Sequence, residues 1–148
     1  MVLEGKRGEM TEDKIREHAL AFRKTIQLMP LNEFPNSSFF ENFPRGCCGD
    51  TSHLFAKFLS NKGIQAHYVW GIDKEGRSHA WLEHNCVIID LTADQFPDIH
   101  EEVIVTRNGQ WYEQFTIQGK YLSDFEMFND FNAIRLGQIF SNIMSRKE

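Results

Sequence analysis

Three short apolar runs, over residues 66–72, 78–83 and 86–92, constrain this chain more than any other feature. Each reads as a strand. Asp73-Lys74-Glu75-Gly76 separates the first two as a turn, and His84-Asn85 forms the tip of a tight hairpin between the second and third. Strands joined this closely pair antiparallel. A small antiparallel sheet is therefore expected at the centre.

Helical signals flank that sheet. Ile15, Ala19, Phe22, Ile26 and Met29 recur at spacings of three and four, which predicts a helix from Thr11 to about Met29. Thr11 suits the N-cap, Glu12 and Asp13 suit the first turn, and Pro30 stops the helix. Residues 31–44 form a loop punctuated by Pro35 and Pro44, yet rich in Phe, so it is expected to pack along a surface groove. A second helix is predicted from Asp50 to about Asn61 on the stripe Leu54, Phe55, Phe58 and Leu59, ending at Lys62-Gly63. Beyond the sheet, residues 103–105 and 112–117 read as short strands. Residues 124 to about 144 read as an amphipathic helix. The expectation is an α+β fold in one domain over residues 11–148, with residues 1–10 a disordered lead-in.

Composition limits the function. The chain has 148 residues, and 13 Phe supply a core. Its 16 basic and 21 acidic residues leave a net charge of −5 with no basic stripe, which argues against nucleic-acid binding. No apolar run reaches the roughly 20 residues of a membrane helix, and the first ten residues lack a signal-peptide core. A cytoplasmic protein is expected. Its three cysteines, Cys47, Cys48 and Cys86, are then free thiols rather than a disulfide framework.

Cys48 stands out among them. In Arg45-Gly46-Cys47-Cys48-Gly49-Asp50 a glycine-flanked turn runs into a helix. Free N–H groups and the positive end of the helix dipole gather there, favouring thiolate and a developing oxyanion. In the hairpin, pairing Glu83 with Cys86 sets His79 directly opposite Asp90 on one face, with Cβ atoms roughly 4.5–5.5 Å apart. An aspartate there fixes the histidine tautomer and leaves the other ring nitrogen for a thiol. Cys48, His79 and Asp90 thus read as nucleophile, base and orienting acid.

Weaker candidates surround this set. Trp81 is expected to pack beside His79 and exclude water. Cys47 and Cys86 fit structural roles better, although the same pairing keeps Cys86 on the Asp90 face near the site. His53 is turned away from Cys48 around the helix. Asp50 reads as a first-turn helix acid. A zinc site from Cys47, Cys48, His79 and Cys86 lacks any CxxC or HxxxH spacing, and adjacent cysteines chelate one metal poorly.

Gly46-Cys47-Cys48-Gly49-Asp50, His79-Ala80-Trp81 and Ile89-Asp90-Leu91-Thr92, in that order, resemble the transglutaminase-like core. The resemblance spans about residues 44–92. It implies a papain-like fold, a nucleophile at Cys48, a base at His79 and an acid at Asp90; papain-like enzymes also place a side-chain amide a few residues before the cysteine, which suits Asn42, six before Cys48, as second oxyanion donor, with Asn36 and the backbone of Cys47 as competitors. Bacterial members include cysteine peptidases similar to the leader peptidase of lasso-peptide maturation. The superfamily also holds transglutaminases, deamidases and amidases. The implied activity is thiol-dependent hydrolysis of a peptide or side-chain amide, on a peptide or protein substrate, without a cofactor. Transamidation or acyl transfer by the same triad, as in arylamine N-acetyltransferases, is the alternative. A catalytically silent module binding a peptide or protein in the same cleft is another.

Overall fold

The computed structural model describes residues 10–147. Residues 1–9, most of the expected lead-in, lie outside them. Helix α1 spans Glu12–Leu28, and the Thr11 side chain caps it by accepting from Lys14 N at 3.1 Å. Ile15, Ala19, Phe22 and Ile26 form its buried face, as their spacing requires. The Phe-rich loop does pack inward. Phe34 and Phe40 are buried and stack at 4.4 Å between centroids.

Helix α2, Cys48–Asn61, follows that loop and ends where Gly63 takes φ +85°. Strands β1 (His67–Ile72), β2 (Ser78–His84) and β3 (Val87–Asp90) come next, then β4 (Ile104–Thr106) and β5 (Thr116–Leu122). They build one five-stranded sheet in the order β4-β3-β2-β1-β5, antiparallel at every pair. Helix α3, Asp130–Lys147, closes the fold.

Leu82, Val87, Ile89 and Val105 point from the sheet into the main core, against Phe22, Phe55 and Leu136 of the helices. Val69, Trp81 and Ile88 point the other way, into a second cluster with Phe96, Tyr112 and Phe115 from the loops around β4 and β5. Both faces of the central strands are therefore covered.

Three local expectations need correction. The β2–β3 turn is Asn85-Cys86, not His84-Asn85. Both residues hold positive φ, +50° and +66°, the conformation that two-residue hairpins demand. The register is Leu82 with Ile89 and Glu83 with Ile88, two positions from the expected pairing. Cys86 consequently leaves the strand and sits exposed in the turn, off the Asp90 face.

Tyr112 lies in a 3-10 turn, Gln110–Gln114, rather than in a strand. The strand there runs to Leu122. β5 is an edge strand exposed along most of its length, so it carries no apolar alternation to mark it. Helix α3 starts at Asp130 rather than Asp124. Asp124 instead caps the 3-10 turn Phe125–Met127, and Asn129 accepts from Asn132 N at 3.0 Å to begin the helix proper.

Candidate active site

Helix α2 starts at Cys48 itself, two residues earlier than the pattern predicted. Gly46 makes the entry possible with φ +79°, and Thr51 N closes the first helical bond on Cys47 O at 2.9 Å. The N–H groups of Cys48, Gly49 and Asp50 precede that bond and have no partner within the helix. Cys48 is partly exposed. Cys47 is buried with its sulfur 3.7 Å from Pro44 O, and burial pushes its thiol up to about 12. The two adjacent thiols thus live in opposite environments, one at the surface and one sealed in the core.

His79 and Asp90 meet on the sheet face of the second cluster. Carrying the β2–β3 register one step beyond Leu82–Ile89 sets Asp90 opposite Trp81, so His79 is its diagonal neighbour. An even register shift keeps side chains on their faces, and a diagonal is still within reach of a long side chain. His79 Nε2 donates to Asp90 Oδ2 at 2.7 Å. Tyr112 Oη donates to the same oxygen at 2.7 Å, and Thr92 N donates to Oδ1 at 2.9 Å. Asp90 is thereby held on both oxygens.

The imidazole is nearly sealed, at 1% exposure. Phe96 stands edge-on at 5.1 Å and Trp81 lies at 5.7 Å. Trp81 is buried beside the ring, where the sequence expected it, and donates to Glu83 Oε2 at 3.2 Å. Burial by itself disfavours the charged ring. The Asp90 carboxylate and the Cys48 sulfur beside it outweigh that cost and raise the His79 pKa to about 9. Cys48 contributes to that rise after Asp90.

The structure brings two further side chains to this centre that the sequence reading did not single out. Tyr112 is one. Gln95 is the other: its Nε2 donates to His79 Nδ1 at 3.2 Å and to Thr92 O at 3.1 Å. Arg23 anchors the segment that carries Gln95. Its buried guanidinium spans both Asp94 oxygens at 2.8 Å and also donates to Leu91 O. Its place five residues after Asp90 was the available sequence signal for Gln95. Tyr112 comes from a distant loop, and nothing local marks it.

Asn42 lies exposed in the turn before Cys47 and lines an open groove opposite Gln95. Asn36 sits in the same long loop with φ +58°. On the other side of Cys48, Tyr68 of β1 overhangs the first turn of α2. A Cβ on Gly49 would stand 3.0 Å from its hydroxyl, so glycine makes that approach possible. Burial first, then the Cys48 charge, pushes the Tyr68 hydroxyl up. Asp50 pairs with Arg135 of α3 at 2.8 Å and takes no part in the His79 contacts. His53 stacks on Tyr68 at 4.1 Å and pairs through Nδ1 with Ser123 Oγ at 2.8 Å. Among the described residues no three His, Cys, Asp or Glu side chains gather as a metal site, and no helix is long and apolar enough to cross a membrane.

Neither curated proteins nor solved structures returned a match to this chain. A family model did. It spans residues 3–113, about three quarters of the chain, and takes in Cys48, His79 and Asp90. Members of that family are typically cysteine hydrolases or transferases built on Cys, His and Asp. On the strength of that match, and with an α+β architecture that agrees with it, the chain belongs to the transglutaminase-like superfamily.

Proposed function

We propose that the protein is a thiol hydrolase that opens an amide through a Cys48 thioester, with His79 as base and Asp90 as the acid that orients it. One observation carries the reading. Asp90 occupies Nε2 of a buried imidazole at 2.7 Å, so the remaining nitrogen, Nδ1, is the one left on the side of the ring that meets Cys48.

The chemistry follows from that division. His79 takes the thiol proton on Nδ1, and the Cys48 sulfur attacks the amide carbon. The carbonyl electron pair moves onto oxygen, where the Cys48 backbone N–H meets it, with Asn42 the sequence-based candidate for a second donor. The C–N bond then breaks as His79 returns its proton to the departing amine. Water adds to the thioester in hydrolysis; an amine adds in transamidation. No step requires a cofactor.

Alkylation tests the centre without a known substrate. Iodoacetamide at pH 6 should modify Cys48 at least tenfold faster than Cys86, which is exposed at the hairpin tip, and His79→Ala should erase the difference. Equal labelling of the two thiols in the wild-type chain would point instead to a silent binding module.

A further inference from the structure

We propose that Gln95 is the second oxyanion donor of this site, parked on His79 Nδ1 until the imidazole takes the Cys48 proton. The inference rests on the thiol-hydrolase reading above and assigns to Gln95 the role that sequence position suggested for Asn42.

Three observations carry it. First, the Gln95 amide is oriented. Thr92 O accepts from Nε2 at 3.1 Å, so the nitrogen rather than the oxygen is turned to His79 Nδ1 at 3.2 Å. A reversed amide would set two carbonyl oxygens against each other. Second, a bond donated to Nδ1 suits only the neutral ring. Once His79 is protonated there, N–H meets N–H and the contact turns repulsive. Proton transfer from Cys48 therefore expels the Gln95 N–H from its resting place. Third, the released amide has somewhere to go. Gln95 lines a surface pocket together with residues 41–45, the segment that precedes Cys47 and Cys48 in the chain. Its Nε2 contacts the ring whose pKa Cys48 also raises, so the freed donor stays near the nucleophile.

The raised pKa of His79 and its neutral-ring hydrogen bond then describe two stages of one cycle. The geometry is that of the resting site, with Gln95 on a neutral imidazole. The imidazolium belongs to the thiolate pair that forms when Gln95 lets go. The Arg23–Asp94 clamp fixes the backbone beside Gln95, so the motion is confined to the side chain.

Two probes separate the role. Iodoacetamide alkylates by displacement at a saturated carbon and develops no oxyanion. p-Nitrophenyl acetate acylates through one: the Cys48 sulfur bonds to the carbonyl carbon, the carbonyl pair moves to oxygen, then the ester C–O bond breaks. p-Nitrophenol leaves with the proton that His79 held. In Gln95→Ala, acylation of Cys48 should fall about 100-fold. Alkylation at pH 6 should hold or rise a few-fold, because nothing then competes for Nδ1. Gln95→Met keeps the bulk of the side chain without its N–H and should behave alike, which guards against a folding defect in the smaller variant.

A packing role would lower both rates together, and that result overturns the inference. So does acylation within threefold of wild type in both variants, or selective loss of acylation in Asn42→Ala instead. A wild-type Cys48 that neither alkylates faster than Cys86 nor acylates breaks the thiol-hydrolase reading itself. A reactive wild type indifferent to Gln95 breaks only the present one.

Discussion

Replacing Asp90 with Asn exchanges one carboxylate oxygen for an NH2 group and forces the whole centre to choose. Asp90 accepts from His79 Nε2 and Tyr112 Oη through Oδ2, and from Thr92 N through Oδ1. A carboxylate can do this because both of its oxygens accept. An amide cannot. With its oxygen toward His79 and Tyr112, its NH2 faces the buried Thr92 N–H. An orphaned buried donor costs about 1–3 kcal/mol. With its oxygen toward Thr92, its NH2 donates to His79 Nε2, and the ring must carry its proton on Nδ1. Tyr112 can rotate to accept, so this arrangement is the cheaper one, but the base is then in the wrong tautomer to receive the Cys48 proton.

Asp90→Asn should therefore stay folded, with a loss of about 2 kcal/mol that lowers Tm by roughly 6 °C. Its rate of Cys48 acylation by p-nitrophenyl acetate should drop roughly 10³–10⁴-fold, as expected when a triad histidine takes the wrong tautomer. Calorimetry gives the first quantity and p-nitrophenol release the second. An Asn variant that acylates within tenfold of wild type would refute the orienting role of the acid.

Other consequences are open to direct measurement. Arg23→Met strips a buried guanidinium from Asp94 and from the carbonyls of Leu91 and Glu102, so stability should fall by about 3–5 kcal/mol in urea melts; a loss under 1 kcal/mol would contradict the clamp. Gly71→Ala would place a Cβ 2.8 Å from Thr116 O and 3.0 Å from Phe115 Cβ, forcing β1 from β5 at about 1–3 kcal/mol, and an unchanged urea midpoint would show that the strands yield freely. Stability should also fall on the acid side of neutrality. His53, lowered by burial to about 4, contributes stability present above about pH 6.5 and lost as pH falls through about 4. His53→Phe should flatten that limb of a Tm-against-pH curve.

The sequence by itself determined the local elements and placed His79 and Asp90 on one face of the sheet. Thr11 and Pro30 bracket α1, and the spacing of Ile15, Ala19, Phe22 and Ile26 selects its buried face. The glycines around Cys48 announce a helix entrance with free N–H groups. His79 and Asp90 survive a register error because a strand repeats every two residues: a shift of two positions moves partners without changing faces. Cys86 did not survive it, since a turn residue has no face to keep. The start of α3 and the full extent of β5 were illegible for another reason. One depends on caps that compete along the same segment, and the other is an edge strand without an apolar face. What only the tertiary structure decided is who attends the centre. Tyr112 and Gln95 reach Asp90 and His79 from loops whose paths are fixed by packing of Phe96, Phe115 and Trp81 and by the reach of Arg23 across to Asp94. Such encounters depend on where distant segments come to rest, and no periodicity along the chain encodes that.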